Sequence, residues 1–360
     1  SMKKKVKFRL LLALIILLSL LLLFYNFSSR YLIYSDQARD AMVARGVLKH
    51  KTIPLIGSFS SAGPFVFGPL YYWILFLAYL IAPNFLISPW VLFVLFDIGF
   101  VFVMLKIGKL LWGEKGALIT GLMAAISTAQ ILRSSNINQP TLVSFFTSLA
   151  IFYSIFYFKK KKIFSLFLMA ISIGIAINLH YQALNLLVFG LIIFFEKKFK
   201  LKNIVFRLSS FFLGLILPNL PLLYWDFQRS WVNIKNILDY FLLGQYRIWI
   251  NNRWLTYIFD FWPDFWAKVI GGNYFIGFIF MFFIGIFVLL GLFQKKLKKE
   301  TFFLGIVFLI QLVLYRYYRG QRSLGYVLYF HPLILLFSSW LIQKIIKLNK
   351  IAGYLFFSCV

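Results

Sequence analysis

The sequence predicts an all-α bundle of about ten membrane-spanning helices, and three observations carry that prediction. Hydrophobic residues make up 62% of the chain and charged ones only 13%, a balance foreign to water-soluble domains. Apolar runs recur along the whole length, most of them near the length needed to cross a bilayer. Lysines cluster in the short gaps between those runs, at 3–7, 159–162, 197–202, 295–299 and 344–350, as cytoplasmic loops do. The net charge of +28 is therefore read as topology and contact with membrane lipids, not as nucleic-acid binding. A single cysteine, Cys359, excludes disulfides within the chain.

Taken in order, the basic stretch Lys3–Arg9 precedes an apolar run from Leu10 to Phe27. That run is too long for a signal-peptide core and has no small-x-small cleavage site, so it is a retained first span with the N-terminus inside. Residues 30–88 then lie outside as the first large external loop. Within it Ser35 is a good helix N-cap and Gly46 a good stop, which predicts about three turns of helix. A loop rich in Gly, Pro and Ser follows, from Ile53 to Pro69. The apolar stretch Leu70–Ala82 is short for a crossing and is expected to lie partly in the outer leaflet.

The remaining spans are Trp90–Leu111, Ala117–Leu132, Thr141–Phe158, Ile163–Asn178, Ala183–Phe195, Ile204–Tyr224, Tyr274–Phe293, Phe302–Tyr315 and Leu333–Gln343. His180-Tyr181-Gln182 marks a tight external turn. Residues 225–270 form a second large external segment, whose mixed character suggests helices on the membrane surface. With these spans, 24 of the 38 Lys+Arg lie inside, 22 of them lysine, while ten of the 14 outside are arginine. Making 70–82 a full span would move three lysine clusters outside, so the positive-inside rule selects the topology without it. The chain, 1–360, reads as a single integral membrane domain with no separate soluble domain.

The outer side is where chemistry is expected. It holds Asp36, Asp40, Asp226, Asp239, Asp260 and Asp264, six of the ten acids. Asp36 and Asp40 stand four apart and Arg39 lies three from Asp36, so all three share a helix face. Two carboxylates at that spacing call for a cation, a ligand or a proton, and a divalent metal held by Asp36 and Asp40 is one reading. Solvated charges on an exposed helix are the plain alternative. Arg316, Arg319 and Arg322 stand together at the outer end of a span, where arginine's planar fork suits a lipid phosphate. Snorkelling to headgroups is their alternative.

Arg133, beside Asn136 and Asn138, is a similar phosphate candidate. His180 is either a hydrogen-bonded structural histidine or a residue near substrate; His50 and His331 are weaker candidates. Asp97 lies inside a span, where a structural pairing or a protonated acid is expected. There is no Gly-rich phosphate loop, Walker pattern, Ser-His-Asp arrangement or HExxH.

One combination of features resembles a known family. A first span is followed by an external Asp-x-x-Arg helix, a Pro/Gly loop and Gly68-Pro69-Leu70-Tyr71-Tyr72-Trp73. Gly116-Ala117 then opens an outward span that ends in Arg133–Asn138. Over roughly residues 10–230 this is similar to the superfamily C (GT-C) glycosyltransferases, nearest the bacterial and archaeal relatives of the protein O-mannosyltransferases and the lipid A aminoarabinose transferases.

The resemblance implies a GT-C-like bundle in a prokaryotic plasma membrane, with its site on the non-cytoplasmic face. It implies a sugar donor on a polyprenyl phosphate or pyrophosphate, and an acceptor that is a lipid, glycan or protein. It puts the base or acceptor-orienting role on Asp36 and Arg39 near the donor phosphate. The aminoarabinose transferases carry an acid and a lysine just before Pro-Leu-Tyr-Tyr-Trp; here Val66, Phe67 and Gly68 stand there. Asp40 and the Arg316–Arg322 group would have to supply those roles. A transporter or flippase for a phosphorylated lipid is the competing class, and a membrane assembly factor a third.

Overall fold

A computed structural model describes residues 2–195, 201–244, 253–294, 297–318 and 323–358. Those residues are helical apart from connecting loops and one isolated antiparallel bridge, Phe59 with Val66. Seven described helices are long and apolar enough to cross a membrane: Lys4–Phe24, Ser88–Ala125, Gln139–Lys160, Leu201–Phe227, Tyr274–Phe293, Lys299–Tyr317 and Leu324–Leu348.

The sequence predicts about ten spans and the described residues hold seven helices of that kind; three features bear on the difference. The run Ser88–Ala125 contains one non-helical residue, Gly113, at φ 76°, and folds back there. Gly108 lies against Gly116, where an added Cβ would come within 2.5 Å of the Gly116 carbonyl, and Leu105 lies against Gly121. One helix by bookkeeping is therefore an antiparallel hairpin. Ile163–Leu179 has 17 residues, about 26 Å of α-helix. Tyr181–Phe194 has only 14 but is wound as a 3₁₀ helix, which gives about 28 Å at its steeper rise.

Leu324–Leu348 is the centre of the bundle and almost wholly buried. It packs on the Ser88–Ala125 hairpin, Trp262–Ile270 and Tyr274–Phe293. Leu201–Phe227 and the first helix lie outermost and leave Leu14, Leu17, Leu21, Phe206 and Phe212 exposed, as lipid-facing surfaces do. Leu70–Ile81 spans 12 residues, about 18 Å, in keeping with a stretch too short to cross. It packs against the Ser35–His50 helix, with Tyr71, Leu75 and Tyr79 fully buried.

Four expectations need correction. The first external helix starts with Ser35 as its first helical residue, and Tyr34 is the extended N-cap. That helix runs through Gly46 to His50, because Ala44 and Val47 are buried and their packing outweighs the ~1 kcal/mol of a helical glycine. The stretch Ala117–Leu132 is interrupted at Ile126–Ser127, after which Thr128–Ser134 forms a separate short helix. Finally, Trp262–Ile270 is no surface helix: Phe265, Trp266 and Val269 are buried in the core. Gly277 lets the next helix approach so closely that a Cβ there would lie 2.2 Å from the Pro263 carbonyl.

The connections sort to two ends. Val143–Lys160 leaves Leu142 at one end and reaches Lys159–Lys162 at the other, 18 residues later. The Gly113 turn, with Lys109 and Lys115, lies at the lysine end. The turns at 134–142 and 180 lie at the opposite end, with Tyr318 and Ser323, and the cavity described next opens among them.

Candidate active site

The Ser35–His50 helix opens the site. Gln37 turns back to accept the Tyr34 N–H at 3.2 Å, which satisfies a donor at the helix start. One turn on, Arg39 lies between the two carboxylates. Its Nη1 donates to Asp36 at 2.9 Å, while Nε and Nη2 reach Asp40 at 2.9 and 2.8 Å. The cation that the two acids require is on their own helix.

The acids differ in setting. The Asp36 side chain is 74% exposed and that of Asp40 only 7%. Asp40 also accepts a hydrogen bond from the Tyr72 hydroxyl at 3.1 Å. Burial raises the Asp40 carboxyl above its ordinary range, opposed by the bonds from Arg39 and Tyr72. Among the described residues no group of three or more His, Cys, Asp or Glu forms. With Arg39 already bonded to both acids, the pair does not make a metal site as it stands.

The loop after this helix is held in place by later parts of the chain. Gly57 N–H donates to the Phe67 carbonyl and Phe67 N–H to the Ser58 carbonyl, at 2.8 and 3.0 Å. Gly68 must be glycine: a Cβ there would lie 2.0 Å from the Asn178 amide. Asn178 in turn accepts from the Gly68 and Leu70 N–H groups. Asn233 grips both sides of Val66, accepting its N–H at 2.8 Å and donating to its carbonyl at 3.2 Å. The Tyr181 hydroxyl donates to the same carbonyl at 2.6 Å. Asp226 caps the helix that carries Asn233, accepting the N–H groups of Asn233 and Ile234.

These elements enclose a cavity of about 510 Å³. Asp36, Arg39, Asp40, Arg133 and His180 all line it, with Ser58, Asn138, Gln139, Gln182 and a wall of Phe65, Phe67, Tyr181, Tyr240 and Tyr326. Arg133 stands out because it has no counter-charge. Among the described residues its guanidinium has no hydrogen-bond or carboxylate partner, and burial lowers its pKa, although an arginine remains protonated. Gly325 makes room for it, since a Cβ there would lie 3.1 Å from Nη1. An unbalanced guanidinium on a cavity wall is an anion site in waiting.

His180 is stacked between Phe67 and Tyr326, with ring centroids 5.1 and 5.0 Å away. Burial pushes its pKa down to about 4. Its Nδ1 accepts the Gln182 N–H at 3.3 Å, which leaves Nε2–H as the donor of a neutral ring.

Five of the eight residues singled out from sequence therefore meet in one cavity. Arg316 does not line it; its guanidinium stacks on Trp254 at 3.7 Å. Arg319 and Arg322 lie outside the described residues. Sequence reasoning missed Tyr72, Gln139, Asn233 and the aromatic wall. Tyr72 alone had a signal, its place in the Leu-Tyr-Tyr-Trp stretch. A second cavity of about 290 Å³ adjoins the first through Tyr181, Gln182, Phe241 and Tyr318. Further along Tyr181–Phe194 lies an apolar groove of about 440 Å³, lined by Leu187, Leu191, Phe194, Phe211 and Ile310 among others.

No protein-family model matches the chain, and no curated protein matches it. Solved structures do. ArnT from Cupriavidus metallidurans, bound to undecaprenyl phosphate, is similar with a TM-score of 0.63 and 13% identity, over 92% of this chain and 60% of that one. The archaeal oligosaccharyltransferase AglB from Archaeoglobus fulgidus, in complex with an inhibitory peptide and a dolichol-phosphate, has a TM-score of 0.57 and 14% identity, over 99% of this chain and 52% of that one. The chain thus spans only 60% and 52% of the length of these two proteins. Its architecture, an all-α polytopic bundle, resembles that of these two proteins.

Proposed function

We propose that the chain is a membrane glycosyltransferase. It moves a sugar from a polyprenyl-phosphate-linked donor to an acceptor hydroxyl in the cavity lined by Asp36 and Arg133, on the non-cytoplasmic side. One observation carries the reading. A single cavity holds an exposed carboxylate and a guanidinium without a counter-charge, on a fold of which two solved examples are bound to a polyprenyl phosphate.

The chemistry follows from those two groups. The acceptor oxygen attacks the anomeric carbon and the bond from that carbon to the phosphate oxygen breaks. The acceptor proton passes to the Asp36 carboxylate, and the polyprenyl phosphate leaves with the negative charge. Arg133 faces that developing charge, where a fixed cation in a dry site is most effective. Arg39 stands on the same wall, and its bonds to Asp36 and Asp40 fix its orientation. His180 donates from Nε2 to the sugar or the phosphate as a neutral ring. Tyr and Phe rings offer apolar faces to the sugar. The prenyl chain lies along the second cavity and the apolar groove. Arg316, stacked on Trp254, contacts headgroups.

Purified protein in nanodiscs, given a radiolabelled polyprenyl-phosphate sugar pool and a lipid extract, tests the proposal. Transfer or hydrolysis of label supports it. Movement of labelled lipid between leaflets of proteoliposomes, with the sugar bond intact, would replace it with the flippase reading. Inhibition by a chelator, with Asp36→Asn and Asp40→Asn failing alike, would put a metal in place of Arg39 between the acids.

A further inference from the structure

Arg133 sits on a helix with little of its own to hold it. Thr128–Ser134 has seven residues and begins after a break in the chain's helical path. Polar attachments from four different parts of the bundle secure it. The Ser127 hydroxyl is 2.9 Å from His331 Nε2, at the head of the His331–Leu348 helix. Arg30, just past the first span, donates to the Ile131 carbonyl at 3.1 Å. The Gln130 amide donates to Asp97 Oδ1, inside the Ser88–Ala125 hairpin, and its Oε1 accepts from Ser144 at 3.4 Å.

Asp97 is the costly member of this set. It is 2% exposed, and its Oδ2 has no partner. Among the described residues no cation pairs with it. A carboxyl group inside a span is expensive, and those found there are usually functional. Among the described residues the one hydrogen bond of the Asp97 carboxyl goes to Gln130, three residues before Arg133 on the same short helix.

Resting on the reading of the site given above, we infer that Asp97 is a positioning residue for Arg133. By holding Gln130 it sets the depth and rotation of Thr128–Ser134, and so turns the Arg133 guanidinium toward the cavity. Asp97 does not line the cavity and acts on the ligand only through Arg133.

The test is the affinity for undecaprenyl phosphate of the full chain in nanodiscs. Arg133→Gln should weaken it tenfold or more. Asp97→Leu should weaken it about tenfold, and turnover at saturating donor should fall as well, because Arg133 also faces the charge that develops on the leaving phosphate. Asp97→Asn keeps an acceptor for Gln130 and should bind within threefold of the parent. The decisive variant is the double one: Asp97→Leu in an Arg133→Gln background should lose nothing further. A general packing defect would add to the loss and would not be rescued by Asn. Should Asp97→Leu fail to fold, Gln130→Leu cuts the same bond and carries the same expectation. Normal affinity in Asp97→Leu alongside a clear loss in Arg133→Gln would overturn the positioning role alone. Normal affinity in Arg133→Gln would overturn the reading of the site, and the positioning role with it.

Discussion

Asp36 and Asp40 stand one helical turn apart, and burial separates their roles. Asp36 is open to the cavity with one bond from Arg39; Asp40 is buried and bonded to Arg39 and Tyr72. Asp36→Asn should therefore keep its fold and lose 10²- to 10⁴-fold in turnover, the usual effect of removing a general base. Full activity in that variant, with the parent's melting behaviour, would remove the base. Asp40→Asn should instead lower stability by about 1–3 kcal/mol, since Arg39 and the Tyr72 hydroxyl lose a charged acceptor; thermal unfolding in detergent measures it. His180 gives a pH signature. Its folded pKa of about 4 lies below the unfolded value of about 6.5, so the unfolded chain takes the proton first as pH falls. Its contribution to stability is full above about pH 6.5 and is lost progressively toward pH 4. His180→Gln should flatten that part of the stability profile, measured as unfolding midpoint against pH. The Asp36–Arg39–Asp40 cluster was legible from spacing because i, i+3 and i+4 neighbours meet on any helix. Tyr72, Gln139 and Asn233 were not, because their partners lie 32, 81 and 167 residues away.

At the scale of elements, the spans were legible wherever an apolar run met a lysine cluster. What hydropathy could not reveal was winding. Tyr181–Phe194 is apolar on nearly every side, so its sequence has no period to separate a 3₁₀ helix from an α-helix. The broken span at Ser127 was equally hidden, since no Pro or Gly marks it. The Gly/Pro/Ser loop was recognisable as a loop, but not as one clamped by the Val232–Leu242 helix. Asn233→Leu tests that clamp. It leaves the buried Val66 N–H without its acceptor, at about 1–3 kcal/mol. Hydrogen exchange at Val66 should quicken and turnover should fall, while the spans remain intact by circular dichroism. Unchanged exchange at Val66 would mean that the bridge with Phe59 suffices to hold the loop.

For the whole molecule, the bundle has a lysine end and a cavity end, and the positive-inside rule puts the lysine end in the cytoplasm. In a background lacking Cys359, a cysteine at Ser60 should react with an impermeant thiol reagent from outside the cell, and one at Gln294 should not. Labelling of both from one side would leave the cavity's orientation without support. The architecture was accessible to sequence reasoning because hydropathy and charge act over tens of residues. The convergence of Arg133 and His180 on the Asp36 helix was only hinted at by their common side, because it is a matter of how spans pack.

The grip of Asn233 on Val66 and of Asn236 on Pro64 joins segments 167 and 172 residues apart. A ribosome adding roughly 5–20 residues per second makes the first partner about 10–30 s before the second. Through that interval the loop beside Asp36 lacks both latches. The loop is therefore expected to close over the cavity only after the chain has been made as far as Asn236. A chain stalled on the ribosome before Asn233 emerges should show the loop 57–68 open to protease, and one released after residue 244 has left the exit tunnel should show it protected.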